Sequence, residues 1–158
     1  MRFRSRDICS CDTARRTALR SLTAVGLATL WPSARACEYF SATLRVLHPW
    51  AHATPEGADS VRVSMRLDNV SRDDRLIGAD TPVARTVALR DPTGEATSGL
   101  PIPAGEDTVL GEDGAQLLLL QLTQPLELGR SYPLKLVFEQ GGTVNATLNI
   151  DFTPFRFR

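Results

Sequence analysis

Apolar and polar residues alternate along much of the chain, which is the pattern of half-buried β-strands. Residues 61–67 read VRVSMRL, with apolar side chains at the odd positions and polar side chains at the even positions. Successive side chains of a strand point to opposite faces, so this segment predicts a strand with one buried face. Similar or more fully apolar runs predict further strands at 43–48, 86–90, 117–122, 134–138 and 144–150.

Turn residues separate these runs. The segments DPTG at 91–94 and GEDG at 111–114 favour β-turns, and Gly141-Gly142 favours a hairpin between the last two strands. About seven short strands with regular turns predict an all-β domain folded as a single β-sandwich. Two pairs of adjacent acids, Asp73-Asp74 and Glu112-Asp113, fall in the turns and are expected to be solvated loop charges.

The N-terminal segment has a different composition. Residues 1–36 carry seven Arg against two Asp, and they contain a short apolar run at 22–31 and an Ala-x-Ala site at 34–36. This pattern predicts a cleaved signal peptide, export to the periplasm and a mature domain at 37–158. The pair Arg15-Arg16 favours a twin-arginine-like signal, with an ordinary Sec signal as the alternative. The apolar run is shorter than the roughly 20 residues of a spanning helix, so no transmembrane segment is expected after processing.

Charge and residue chemistry exclude several classes of function. Residues 37–158 hold eleven Lys and Arg against sixteen Asp and Glu, and a net charge of −5 argues against a nucleic-acid partner. The single cysteine of that part, Cys37, cannot form an internal disulfide. Neither a Ser-His-Asp arrangement nor a glycine-rich phosphate loop stands out, so the sequence predicts that the protein is not an enzyme.

Four segments carry a family resemblance. They occur in order at residues 50–58 (WAHATPEGA), 73–84 (DDRLIGADTPVA), 100–105 (LPIPAG) and 124–129 (QPLELG). Together they resemble the periplasmic copper chaperones of the PCu(A)C family. The resemblance implies a Greek-key β-sandwich of the cupredoxin-like or immunoglobulin-like kind. It also implies that the protein binds copper(I) in the periplasm and delivers it to cytochrome oxidase assembly or to other copper-handling proteins.

The ligand positions implied by the resemblance do not carry the family's ligands. The first family His falls on Arg90, and a later His-x-Met falls on Gln116 and Leu118. A guanidinium repels a cation, an amide is a hard donor and an alkyl chain has no lone pair, whereas copper(I) prefers imidazole and thioether sulfur. The sequence therefore predicts that these positions are not competent and that the usual copper(I) site is degraded.

Another donor set could replace that site. Cys37, His48 and His52 are the remaining thiol and imidazoles, and His48 and His52 would lie about 13 Å apart on an extended segment. A shared metal would require the chain to bend at Pro49. The alternative is one incidental thiol and two unrelated histidines.

Two functional hypotheses follow from the residues and the resemblance. The first is a divergent copper-chaperone relative, with a relocated site or acting beside a competent paralogue. The second is a metal-free periplasmic interaction module on the same sandwich. In that case the polar face of Arg62, Ser64 and Arg66, together with Arg90, could dock an acidic partner, or it could be a solvated strand face.

Overall fold

The computed structural model describes residues 37–151, which form eleven β-strands and no helix. The signal peptide predicted for residues 1–36 lies outside the described residues. The strands are β1 (Glu38–Phe40), β2 (Arg45–Ala51), β3 (Ser60–Asp68), β4 (Asp74–Asp80), β5 (Ala84–Arg90), β6 (Ala96–Thr97), β7 (Leu100–Ile102), β8 (Thr108–Leu110), β9 (Gln116–Leu122), β10 (Ser131–Phe138) and β11 (Gly142–Ile150).

The strands are hydrogen-bonded in the order β6-β5-β9-β3-β2-β11-β10-β4-β7, with β1 added to β2 and β8 added to β3. Strand pairs are antiparallel except for β11 with β2. Strands β4 and β5 are near opposite ends of this order, yet they follow each other in the chain and are in contact. The sheet therefore curls back on itself around one core, which confirms the predicted all-β sandwich.

Each of the six strand segments predicted from the sequence overlaps an observed strand: β2, β3, β5, β9, β10 and β11. The estimate of about seven strands is too low for the described residues. Strands β1, β6, β7 and β8 are only two or three residues long, which is too short to show alternation. Strand β4 contains Gly78, and its pairing with β10 shifts register between Val137 and Phe138, which breaks the period of two.

The core is built from the alternating apolar residues of both halves. From β3, Val63, Met65 and Leu67 are fully buried, and Leu117 and Leu119 of neighbouring β9 are equally buried. Met65, the one methionine besides Met1, is 0% exposed, so its thioether packs in the core and does not reach the surface. On the other half of the sandwich the core residues include Leu134, Leu136, Phe138, Val144 and Leu148.

One of the turn acids is a buried structural group. Asp74 is only 4% exposed, and its carboxylate accepts a hydrogen bond from the Thr43 hydroxyl at 2.5 Å. It also accepts backbone N–H bonds from Arg75 at 2.8 Å, Gln140 at 2.8 Å and Gly141 at 2.9 Å. Burial by itself raises the pKa of Asp74, but these four hydrogen bonds outweigh it and hold the pKa below its ordinary value. The expectation of a solvated charge is therefore wrong for Asp74.

Candidate functional site

The positions where the resemblance places copper ligands come together on one face of the sheet. Strands β5 and β9 pair antiparallel, so that Arg90 lies opposite Gln116 and Ala88 lies opposite Leu118. These four side chains are half-buried and project away from the fully buried Leu117 side of β9. We define the β5–β9 face as Thr86, Ala88 and Arg90 of β5 with Gln116, Leu118 and Leu120 of β9.

Arg90 is held by the turn that follows it. Its Nη1 donates a hydrogen bond to the backbone oxygen of Gly94 at 2.7 Å, and Gly94 N donates to Asp91 O at 2.9 Å, which confirms the predicted turn at 91–94. The carboxylate of Asp91 is occupied within the same turn. It accepts from the Thr93 hydroxyl at 2.6 Å and from backbone N–H groups of Thr93 and Glu95. The Thr93 hydroxyl is the main cause that lowers the pKa of Asp91, and the backbone bonds add to it against an opposing effect of burial.

The neighbouring arginines of β3 are paired within the chain. Arg62 lies opposite Leu118 and forms an ion pair with Glu112 at 3.2 Å, and Arg66 pairs with Asp107. The Glu112 side chain is 79% exposed in the predicted turn at 111–114, so this ion pair lies at the solvent-exposed rim of the face. The sequence did not predict these pairs, because the acids come from loops whose position depends on strand register.

The donor set on the β5–β9 face does not fit copper(I). Arg90 contributes a permanent positive charge, Gln116 an amide and Leu118 an alkyl chain. Soft sulfur and imidazole donors are what copper(I) requires, and none of the six residues of this face supplies one. Within residues 37–151, no group of three or more His, Cys, Asp or Glu side chains is placed to hold a metal ion.

The structure brings together only part of the alternative donor set. His48 N donates a hydrogen bond to the backbone oxygen of Cys37 at 2.9 Å, so these two residues lie side by side. The chain does bend next to Pro49, since His48 has a φ of 43° and pairing with β3 shifts register between Leu47 and Trp50. His52 lies beyond this bend and is exposed, with its ring edge-to-face against Trp50 at a centroid distance of 5.0 Å.

The protonation of His48 is set by its surroundings. Burial lowers the pKa of its imidazole, and the nearby negative charge of Asp151 opposes that shift. A neutral imidazole is the form that binds metals. In the described part of the chain, however, Cys37 and His48 do not belong to any group of three or more His, Cys, Asp or Glu side chains that could hold a metal ion.

The β-sandwich places this chain in the PCuAC class of domains. The apo PCuAC domain from PmoF1 superposes with a TM-score of 0.68 at 25% identity, covering 73% of this chain and 99% of that one. The copper-bound PCuAC domain from PmoF2 has a TM-score of 0.67 at 24% identity, with coverages of 73% and 98%. The copper(I) form of DR1885 from Deinococcus radiodurans, a solution structure, has a TM-score of 0.61 at 24% identity, with coverages of 75% and 81%.

The family is shown by sequence as well. Residues 44–150 match the protein-family model for LpqE-like proteins. This chain belongs to that family, and the resemblance to PCuAC proteins found in its sequence is confirmed. No curated protein matches the chain. Among the described residues there is no helix long and apolar enough to cross a membrane.

Proposed function

We propose that this protein is an exported, non-enzymatic binding protein of the PCuAC class that serves copper handling through contacts with other proteins, without carrying copper(I) on the usual face. The observation that carries this proposal is the pairing of Arg90 with Gln116, beside Leu118. The positions where the resemblance puts the copper ligands lie close together on this face, and the residues at them carry neither an imidazole nor a thioether. A face that retains its geometry but repels a cation is better suited to binding another protein than to binding the ion.

The proposed place of action is the periplasm. The basic segment, short apolar run and Ala-x-Ala site within residues 1–36 support export, and Arg15-Arg16 supports the twin-arginine route. The class of the fold supports partners that handle copper, such as the proteins of cytochrome oxidase assembly. The net charge of −5 on residues 37–158 gives no support to a nucleic-acid role.

Restoration of the donors tests the proposal. We expect the purified protein to lose a copper(I) competition against a chelator. The combined variant Arg90→His, Gln116→His and Leu118→Met should bind one equivalent at least about a hundredfold more tightly, because it places imidazole and thioether groups on one face.

A matched control makes the same three kinds of substitution at exposed positions on different elements. It combines Arg85→His on β5, Gln140→His in the β10–β11 turn and Leu128→Met in the β9–β10 connection. This control should remain as weak as the wild type. Tight one-to-one binding by the wild-type protein would overturn the proposal, and a Cys37→Ser variant would then show whether the ligands are Cys37 and His48.

A further inference from the structure

Among residues 37–151, the half-buried arginines are paired with carboxylates, with one exception. Four arginines of the described residues are half-buried: Arg45, Arg62, Arg66 and Arg90. Arg45 binds both oxygens of Asp68 at 2.8 Å, and Arg62 and Arg66 pair with Glu112 and Asp107. Arg90 has no carboxylate within ion-pair distance among residues 37–151, and its Nη1 donates a hydrogen bond to the neutral backbone carbonyl of Gly94.

The chemistry around Arg90 suits a carboxylate from outside. A guanidinium has five N–H donors, and Arg90 uses one of them on the Gly94 oxygen. Its cross-strand neighbour Gln116 offers an amide donor at the same level of the sheet. Half-buried Ala88 and Leu118 form an apolar floor beside both polar groups. One carboxylate could therefore accept from guanidinium and amide together, in the charge-assisted geometry that favours arginine.

A second positive charge lies across the same floor. Arg62 of β3 is paired with Leu118 of β9, whereas Arg90 of β5 is paired with Gln116 on the other edge of β9. The two arginines are therefore two strands apart and offset by two residues along the strand direction. With strands about 4.8 Å apart and residues about 3.3 Å apart, the two Cα atoms are separated by about 12 Å. The pair that Arg62 makes with Glu112 is at the exposed rim, where such pairs contribute little, so an incoming carboxylate can exchange with it.

We infer that the β5–β9 face docks an acidic, extended segment of a partner protein, with one carboxylate on Arg90 and a second, about four residues along, near Arg62. This inference rests on the proposed function, since it identifies the surface through which the protein would meet its partner. Charge complementarity is local here, because the domain as a whole is acidic. Binding should therefore depend on these two arginines and not on the overall field of the protein.

The test uses a phage-displayed library of random nine-residue peptides selected on the purified protein. We expect enrichment of peptides with two acidic residues about four positions apart. A selected peptide, labelled with fluorescein, should lose at least about tenfold in affinity for the Arg90→Gln variant, the usual size of a lost charge-assisted hydrogen bond. The Arg90→Lys variant should keep part of the affinity, because it preserves the charge but not the planar fork.

Arg85→Gln is the matched control, since Arg85 is on the same strand, is exposed and lies outside the β5–β9 face. It should change affinity less than twofold, and thermal melts should show that both variants are folded. Backbone amide shifts on peptide addition should map to Ala88, Gln116 and Leu118. Enriched peptides without acidic residues, or equal affinities for wild type and Arg90→Gln, would overturn the inference. Self-association that disappears in Arg90→Gln would also overturn it, by making a second copy the occupant.

The copper titration separates this inference from the proposed function. If the wild-type protein fails to hold copper(I) and no acidic peptide is selected, the docking surface is wrong while the proposed function stands. If the wild-type protein binds copper(I) tightly, the proposed function fails whatever the peptides show.

Discussion

Replacing Asp74 with asparagine changes one carboxylate oxygen into an amide NH₂ at the centre of a buried hydrogen-bond network. Of the two oxygens, one accepts from Arg75 N and Gln140 N, and the other accepts from the Thr43 hydroxyl and Gly141 N. Asparagine can keep one such pair with its carbonyl oxygen. The Thr43 hydroxyl can turn to accept from the new NH₂, but a backbone N–H cannot, so at least one buried donor loses its acceptor.

The magnitude follows from this count. A buried donor left without an acceptor costs about 1–3 kcal/mol, and the remaining bonds lose the strength they gained from the negative charge. We therefore expect Asp74→Asn to lower the free energy of unfolding by about 3 kcal/mol. For a domain of this size that corresponds to a melting temperature lower by about 12 °C.

Guanidinium chloride unfolding of the wild type and the Asp74→Asn variant at several pH values measures this effect. The pKa of Asp74 in the folded protein lies below its ordinary value, so the ionised carboxylate contributes stability above about pH 4 and loses it as pH falls toward the folded pKa. The difference between wild type and variant should therefore be full at pH 7. It should shrink as the pH falls below about 4.

Asp73→Asn provides the control for this experiment. The Asp73 carboxylate is exposed and accepts one hydrogen bond, from Ala104 N at 2.8 Å, so its replacement should cost less than about 1 kcal/mol. Equal stabilities for Asp73→Asn and Asp74→Asn at neutral pH would refute the assigned role of the network. A difference that did not depend on pH would refute the part played by the charge.

Two further predictions concern single sites. Gly141→Ala should lower the free energy of unfolding by about 2–3 kcal/mol, because its Cβ would lie 2.5 Å from the Thr43 hydroxyl oxygen. In Gly142→Ala the new Cβ would meet no atom within 4 Å, but the φ of +75° should cost about 1 kcal/mol. Urea unfolding of both variants measures the two costs, and a larger loss of stability in Gly142→Ala than in Gly141→Ala would contradict the prediction. Arg45→Gln should raise the pKa of Asp68, which is lowered mainly by the Arg45 hydrogen bond against burial; a carboxyl NMR titration that left this pKa unchanged would contradict the prediction.

The sequence predicted the fold where a single segment carried enough information. Strand β3 shows its period of two over nine residues, and its boundaries differ from the predicted ones by one residue at each end. The prediction that Asp74 is solvated was wrong because its environment is made by residues distant in the sequence. Its partners come from Thr43, 31 residues earlier, and from the hairpin near Gln140, 66 residues later, and no local pattern reveals such contacts.

The candidate site could also be predicted only in part, because some of its contacts join residues that are distant in the sequence. The resemblance singled out Arg90, Gln116 and Leu118, and the register of β5 and β9 shows that they are neighbours. The opposition of Arg62 to Leu118 could not be predicted, because it requires the pairing of β3 with β9 and the two residues are more than fifty positions apart in the chain. Likewise, the backbone contact of Cys37 with His48 depends on the short strand β1, which is too short to give a pattern.

The guanidinium of Arg90 has a consequence for regulation. Where a metal ion supplies the positive charge of a surface, that charge comes and goes with the supply of the metal. At Arg90 the positive charge is part of the side chain itself, and arginine stays protonated throughout the physiological range. A complex formed through this residue would be equally available to a copper-starved and a copper-replete cell, so its control would have to come from the abundance of the two proteins.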